Sequence, residues 1–152
     1  MELKFFRLHE DAVIPQRGTA DSVGYDLTAI RIHKIYHNTV YIGTGLVVIP
    51  PSGYYTEMVP RSSISKLDIC GKSIMQANSI GIIDSDYRGE LIIALRINGD
   101  LTTESIEYGV TNQILGTRIA QLLVKKAEIM DVVEVYSVDE TERGDGGFGS
   151  TG

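Results

Sequence analysis

The residues best suited to chemistry lie together in Gly81-Ile82-Ile83-Asp84-Ser85-Asp86-Tyr87-Arg88-Gly89-Glu90-Leu91. Apolar residues lead into this run through Ile80 and out of it through Ile92, Ile93 and Leu95. That spacing predicts two strands joined by a polar turn, a β-hairpin. A hairpin tip holds its side chains in place and offers backbone N–H and C=O groups to a ligand. Such a tip can recognise a flat hydrogen-bonding ring and set a carboxylate, Asp84 or Asp86, beside it as a general base. Asp, Ser and Gly are also ordinary turn residues, so the turn alone favours a solvated loop over a functional tip.

Other stretches carry further chemistry. Pro60-Arg61-Ser62-Ser63 follows an apolar run and precedes a helical turn expected within Ser63–Cys70. Ser62 and Ser63 can cap that turn or bind an anion at its start, with Arg61 adding charge. Gly24-Tyr25-Asp26-Leu27 sets one carboxylate in a strand-like run, where a backbone-bonding role is the ordinary one. Arg118 and Gln121 open the apolar strand of Gly116–Leu123, and a buried Gln needs partners, which a phosphate can supply. The end of the chain, Glu142-Arg143-Gly144-Asp145-Gly146-Gly147-Phe148-Gly149-Ser150-Thr151-Gly152, is too glycine-rich to order itself. A plain tail needs no Arg, Phe or Ser-Thr pair. Arg pairs with phosphate, glycine backbone can converge on phosphate oxygens, and Phe can cover a base.

Three readings fail. Gly71-Lys72-Ser73 resembles the end of a P-loop, but Lys66 stands where that motif needs its first glycine. His33 and His37 have no third ligand near them in the sequence, and a zinc site needs three or four. Cys70 is the only cysteine and has no neighbouring His, so it reads as structural.

The elements that position these residues are expected to be strands. Leu3–Leu8, Val40–Ile49, Tyr54–Val59, Leu91–Ile97, Ile119–Val124 and Ile129–Val138 are short, rich in Val, Ile and Tyr, and punctuated by Gly, Asn or Pro. Many such strands predict an all-β barrel or double sheet. At 152 residues and 43% hydrophobic, one domain with a real core is expected. The net charge of −6 argues against a nucleic-acid partner. The charged N-terminus, the lone cysteine and the short apolar runs predict a soluble intracellular protein without a membrane anchor.

Five stretches, in order, resemble one family: Ala20–Ala29 (ADSVGYDLTA), Pro60–Ser63 (PRSS), Asn78–Leu91 (NSIGIIDSDYRGEL), Gly116–Leu123 (GTRIAQLL) and Arg143–Gly152 (RGDGGFGSTG). The chain is similar throughout to the trimeric dUTPases. The resemblance implies a jelly-roll-like β-barrel of the β-clip type over residues 1–141, with a flexible glycine-rich arm over 142–152. It implies a homotrimer with shared active sites. It implies hydrolysis of dUTP to dUMP and pyrophosphate with Mg²⁺, which keeps uracil out of DNA and supplies dUMP. By similarity, Asp84 is the base that activates water; the family pattern selects it over Asp86. Tyr87 packs under the deoxyribose. Asn78, the backbone of Gly81, Ile82 and Ile83, and Ile92 hold uracil and sugar. Arg61, Ser62, Ser63 and Gln121 bind phosphates, and Asp26 orients the waters of Mg²⁺. Arg143 reaches the γ-phosphate, Phe148 covers the uracil, and Gly149, Ser150 and Thr151 close on the phosphates.

The chain departs from the family in several places. The connection from Arg61 to Asn78 and the segment Leu101–Leu115 are long. Ser63 stands where glycine is common, Thr117 where an acid is common, and Asp145 adds negative charge to the arm. The competing readings are a dCTP deaminase-like enzyme of the same fold, which needs a suitably placed glutamate, and a non-catalytic trimer that binds a regulatory protein.

Overall fold

The computed structural model describes residues 1–149. Ser150 and Thr151 lie outside that range. Among the described residues the chain forms three sheets. A two-stranded sheet pairs β1 (Lys4–Arg7) with β5 (Leu46–Ile49). A five-stranded sheet runs β3 (Arg31–Tyr36), β4 (Thr39–Gly43), β10 (Ile92–Ile97), β8 (Lys72–Gln76) and β7 (Asp68–Ile69). A four-stranded sheet runs β2 (Tyr25–Thr28), β11 (Arg118–Lys126), β6 (Tyr54–Pro60) and β9 (Gly81–Ile83). Among the described residues every strand pairing is antiparallel. Leu27, Met58, Ile119, Ala120 and Leu122 of the four-stranded sheet pack with Val40, Ile42, Ile93, Leu95 and Ile97 of the five-stranded one. This is the expected all-β, jelly-roll-like arrangement, and it follows from alternation: β10 buries Ile93, Leu95 and Ile97 and exposes Arg96.

The acidic stretch is not a hairpin. β9 pairs with β6, Met58 facing Gly81 and Thr56 facing Ile83, whereas β10 lies between β4 and β8. The chain from Asp84 to Leu91 therefore crosses from one sheet to the other. Period-two alternation tells which face a side chain takes, not which strand lies alongside.

Two further expectations change. Ile129–Val138 forms no strand: Ile129, Val132, Tyr136 and Val138 are almost wholly exposed, and the segment finds no partner within the described chain. Leu101–Leu115 is helical, with α1 (Thr103–Gly109) continuing into a π-helical turn at Val110–Ile114. Thr102 caps α1 by accepting from the Ser105 N–H at 3.2 Å. Ile106, Val110 and Ile114 are buried in the core. The long connection after Arg61 holds a 3-10 turn, Ser62–Lys66, and the tight β7–β8 hairpin. Cys70 and Gly71 make that turn at φ +50° and +75°, and Gly71 N–H bonds Asp68 Oδ1 at 2.8 Å. Cys70 is exposed, and its thiol faces the Ser105 carbonyl at 3.4 Å. Among the described residues no helix is long and apolar enough to cross a membrane.

Candidate active site

The crossing turn is built rigidly. Tyr87 N–H returns to the Asp84 carbonyl at 3.1 Å, and Arg88 Nη1 donates to the Ser85 carbonyl at 2.8 Å. Tyr87 folds back so that its hydroxyl donates to the Glu90 carbonyl at 3.2 Å. Its ring lies over Gly89, where any Cβ would strike it. The exit is pinned from the five-stranded sheet: the Glu90 carboxylate bonds Arg31 and accepts from the Gly45 N–H at 2.7 Å. Leu91 N–H bonds the Leu46 carbonyl at 2.8 Å. Ile82, Ile83, Asp84, Tyr87, Glu90 and Ile92 enclose an open cleft of about 250 Å³. Asp84 also borders a second cleft with Tyr55, Ser85, Asp86 and Glu128. In that neighbourhood the hydrogen bond to Glu57, then burial and the Glu57 charge, raise the pKa of Tyr55. Asn78 sits before β9, its amide nitrogen against Gly81.

A second group forms where β6 ends beside β2 and β11. Asp26 Oδ1 forms an ion pair with Arg61 Nε at 2.7 Å, and Asp26 Oδ2 accepts from Arg118 Nη1 at 3.1 Å. Arg61 Nη1 also donates to Ser63 Oγ and to the Arg118 carbonyl, each at 3.2 Å. Gln121 pairs in register with Asp26 and donates to the Pro60 carbonyl at 3.1 Å. Gly24 leaves the space that the Gln121 side chain fills. Ser62 is exposed, and neither serine caps the 3-10 turn. Two guanidinium groups against one carboxylate leave a local positive balance in an acidic chain, which suits an anion.

One chain does not join the two groups. Asp84 lies beside Tyr55 at one end of β6, and Arg61 follows its other end. At ~3.3 Å per residue that is roughly 20 Å of backbone between the two groups. The third group is separate again. Ala127 N–H bonds the Gly53 carbonyl at 2.8 Å, and beyond it no hydrogen bond among the described residues returns to the barrel. Among the described residues Arg143 Nε donates only to the Gly146 carbonyl, Phe148 is fully exposed, and Gly149 adopts φ +89°.

The sequence reading missed Arg31, Gln76 and Glu90, and gave Arg118 no role. Arg118 and Asp26 are 92 positions apart, Arg31 and Glu90 are 59 apart, and Gln76 and Met58 are 18 apart, so local spacing carries no sign of these pairings.

An antiparallel jelly-roll-like subunit with acidic and basic groups at its rims defines a class, and comparison with known proteins narrows it. The dUTPase family model matches residues 10–152. The chain is 39% identical to the deoxyuridine 5′-triphosphate nucleotidohydrolase of Arabidopsis thaliana, over 98% of this chain and 82% of that protein. It is 37% identical to the enzyme of the same name from Wolinella succinogenes, over 100% of this chain and 95% of that one. Its fold matches a Staphylococcus bacteriophage 80alpha dUTPase with dUpNHpp, at a TM-score of 0.73 and 23% identity, covering 99% and 98% of the two chains. It also matches a mutant dUTPase from phage phi11 of S. aureus that coordinates a structural Mg(II) ion, at a TM-score of 0.70 and 21% identity, covering 92% and 100%. The chain belongs to the dUTPase family.

Proposed function

We propose that the protein hydrolyses dUTP to dUMP and pyrophosphate, with Asp84 as the base. The observation that carries this reading is the cleft of Ile82, Ile83, Asp84, Tyr87 and Ile92, where a carboxylate borders exposed backbone and an aromatic wall. Uracil presents an N–H between two carbonyls, which backbone acceptors and donors from Gly81 to Asp84 can match. Asn78 and Ile92 complete the hold on base and sugar. The Tyr87 ring, fixed over Gly89, stacks under the sugar where a 2′-hydroxyl would clash. Asp84 takes a proton from water as its oxygen attacks the α-phosphorus, and the bond to the bridging oxygen breaks with pyrophosphate as leaving group. Positioning and charge neutralisation carry most of such a rate.

The phosphates belong with Arg61, Ser62, Ser63 and Gln121. Both Asp26 oxygens are already paired with arginines, and among the described residues no cluster of three or more His, Cys, Asp or Glu converges on a metal. This donor set fits Mg²⁺ carried in on the substrate's phosphates, one of whose waters Asp26 would hold, better than an ion held by the chain alone. When bound there, the ion supplies charge neutralisation.

The roughly 20 Å between the two groups favours a site shared between copies, in a homotrimer. The bare apolar segment Ile129–Val138 supports this, since so much exposed Val, Ile and Tyr is unusual on a monomer. Residues 142–152 then act as an arm that closes on the bound nucleotide: Arg143 on the γ-phosphate, Phe148 over the uracil, and Gly149, Ser150 and Thr151 around the phosphates. A deaminase reading needs a free glutamate in the cleft. Glu90 is there, but its carboxylate is tied to Arg31 and Gly45.

The test is pyrophosphate release from dUTP with Mg²⁺, set beside dTTP, dCTP and UTP. Selective release from dUTP is expected. Equal rates on all four, or ammonia from dCTP, would refute the reading.

A further inference from the structure

Gln76 is the last residue of β8 and is 2% exposed. Its side chain leaves the five-stranded sheet and reaches the four-stranded one, where Nε2 donates to the Met58 carbonyl at 2.8 Å. A backbone carbonyl only accepts, so the amide must present its nitrogen there. The same nitrogen has a second hydrogen, and it faces Asn78 Oδ1 at 3.2 Å. Asn78 must therefore turn its oxygen toward Gln76. Its own Nδ2 is left on the other side, close enough to Gly81 that an added Cβ would come within 3.2 Å of it.

The carbonyl of Gln76, Oε1, is buried and without a partner among the described residues. An apolar side chain would fill this core position without stranding an acceptor. The amide is thus a poor choice for packing and a suitable one for orienting Asn78.

We infer that Gln76 is a positioning residue for base selection, acting by fixing which end of the Asn78 amide faces the nucleotide. This rests on the reading above that Asn78 holds the base. The chain of constraint runs from the Met58 carbonyl through Gln76 to Asn78, so the group offered to the ring is a donor. A ring carbonyl accepts from it. Uracil carries a carbonyl where cytosine carries an amino group, and two donors would then face each other. Thymine keeps the carbonyl and is indifferent to this contact. Without Gln76 the Asn78 amide is free to flip and to accept from cytosine instead.

The variant Gln76→Met keeps the length and removes the amide. Its expected effect is a fall of about tenfold in the ratio of kcat/KM for dUTP over dCTP, with the dUTP over dTTP ratio unchanged. If both ratios stay as in the wild type, or both fall together, Gln76 has only a packing role and the inference is overturned. A second measurement needs neither turnover nor the variant. In the nucleotide-free wild type, NMR is expected to show nuclear Overhauser effects between the Asn78 side-chain amide protons and the Gly81 α-protons. Their absence overturns the inference even if dUTP is hydrolysed. If wild type leaves dUTP intact, the hydrolase reading fails, and the NMR result still decides the orientation of Asn78.

Discussion

The crossing turn and the C-terminal stretch have similar residues and opposite anchorage. Each has an Asp, an Arg, an aromatic ring and glycine. The turn is tied to β6 through β9 and to β4 and β8 through β10, and the Glu90 carboxylate fastens it to Arg31 and Gly45. Among the described residues, the C-terminal stretch has its last hydrogen bond to the barrel at Ala127. Composition therefore does not decide rigidity; the neighbours do. In the proposed function the held region would select a base and aim a water, and the C-terminal stretch would close on what has been selected.

Several changes would break or sharpen this contrast. The largest expected effect is in the held region. Asp84→Asn should lower kcat by ~10²–10⁴-fold while nucleotide binding persists, read by pyrophosphate release and calorimetry. Removing residues 142–152 should cost on the order of 10²-fold in kcat, with thermal unfolding of the barrel unchanged. A truncated protein of full activity would show that the arm closes on nothing. Glu90→Ala should loosen the turn, costing about 2 kcal/mol in urea unfolding at fixed protein concentration, because Arg31 and the Gly45 N–H lose their acceptor. Its dUTP turnover should fall as well. Thr102→Ala should cost ~1 kcal/mol through the lost helix cap and leave turnover intact, since α1 lies outside both groups.

Much of this architecture was legible in the sequence because β-branched residues and turn punctuation mark strands directly. β6 and β11 fall where Tyr54–Val59 and Ile119–Val124 said they would. Partnership was not legible. The alternation around Asp84 fits a hairpin and a sheet-to-sheet crossing equally well. Ile129–Val138 has a strand's composition but no second strand within its own chain. α1 escaped because Thr103, Ser105, Tyr108 and Gly109 are weak helix formers, and the helix is held by burying Ile106, Val110 and Ile114. The site residues that could be named were those in family motifs. Arg31 and Glu90 act through distant partners, and Gln76 is set by the Met58 carbonyl 18 positions away; only the fold brings those groups near.

The account turns on two different chains supplying the acid and the arginine of one site. Mixing two crippled proteins tests it: Asp84→Asn with Arg61→Ala, dissociated together and reassembled. In random mixed trimers roughly one site in four should pair an intact Asp84 with an intact Arg61, so dUTP hydrolysis should reappear. A mixture as inactive as its separate components would place both residues in a site within one chain and contradict the account.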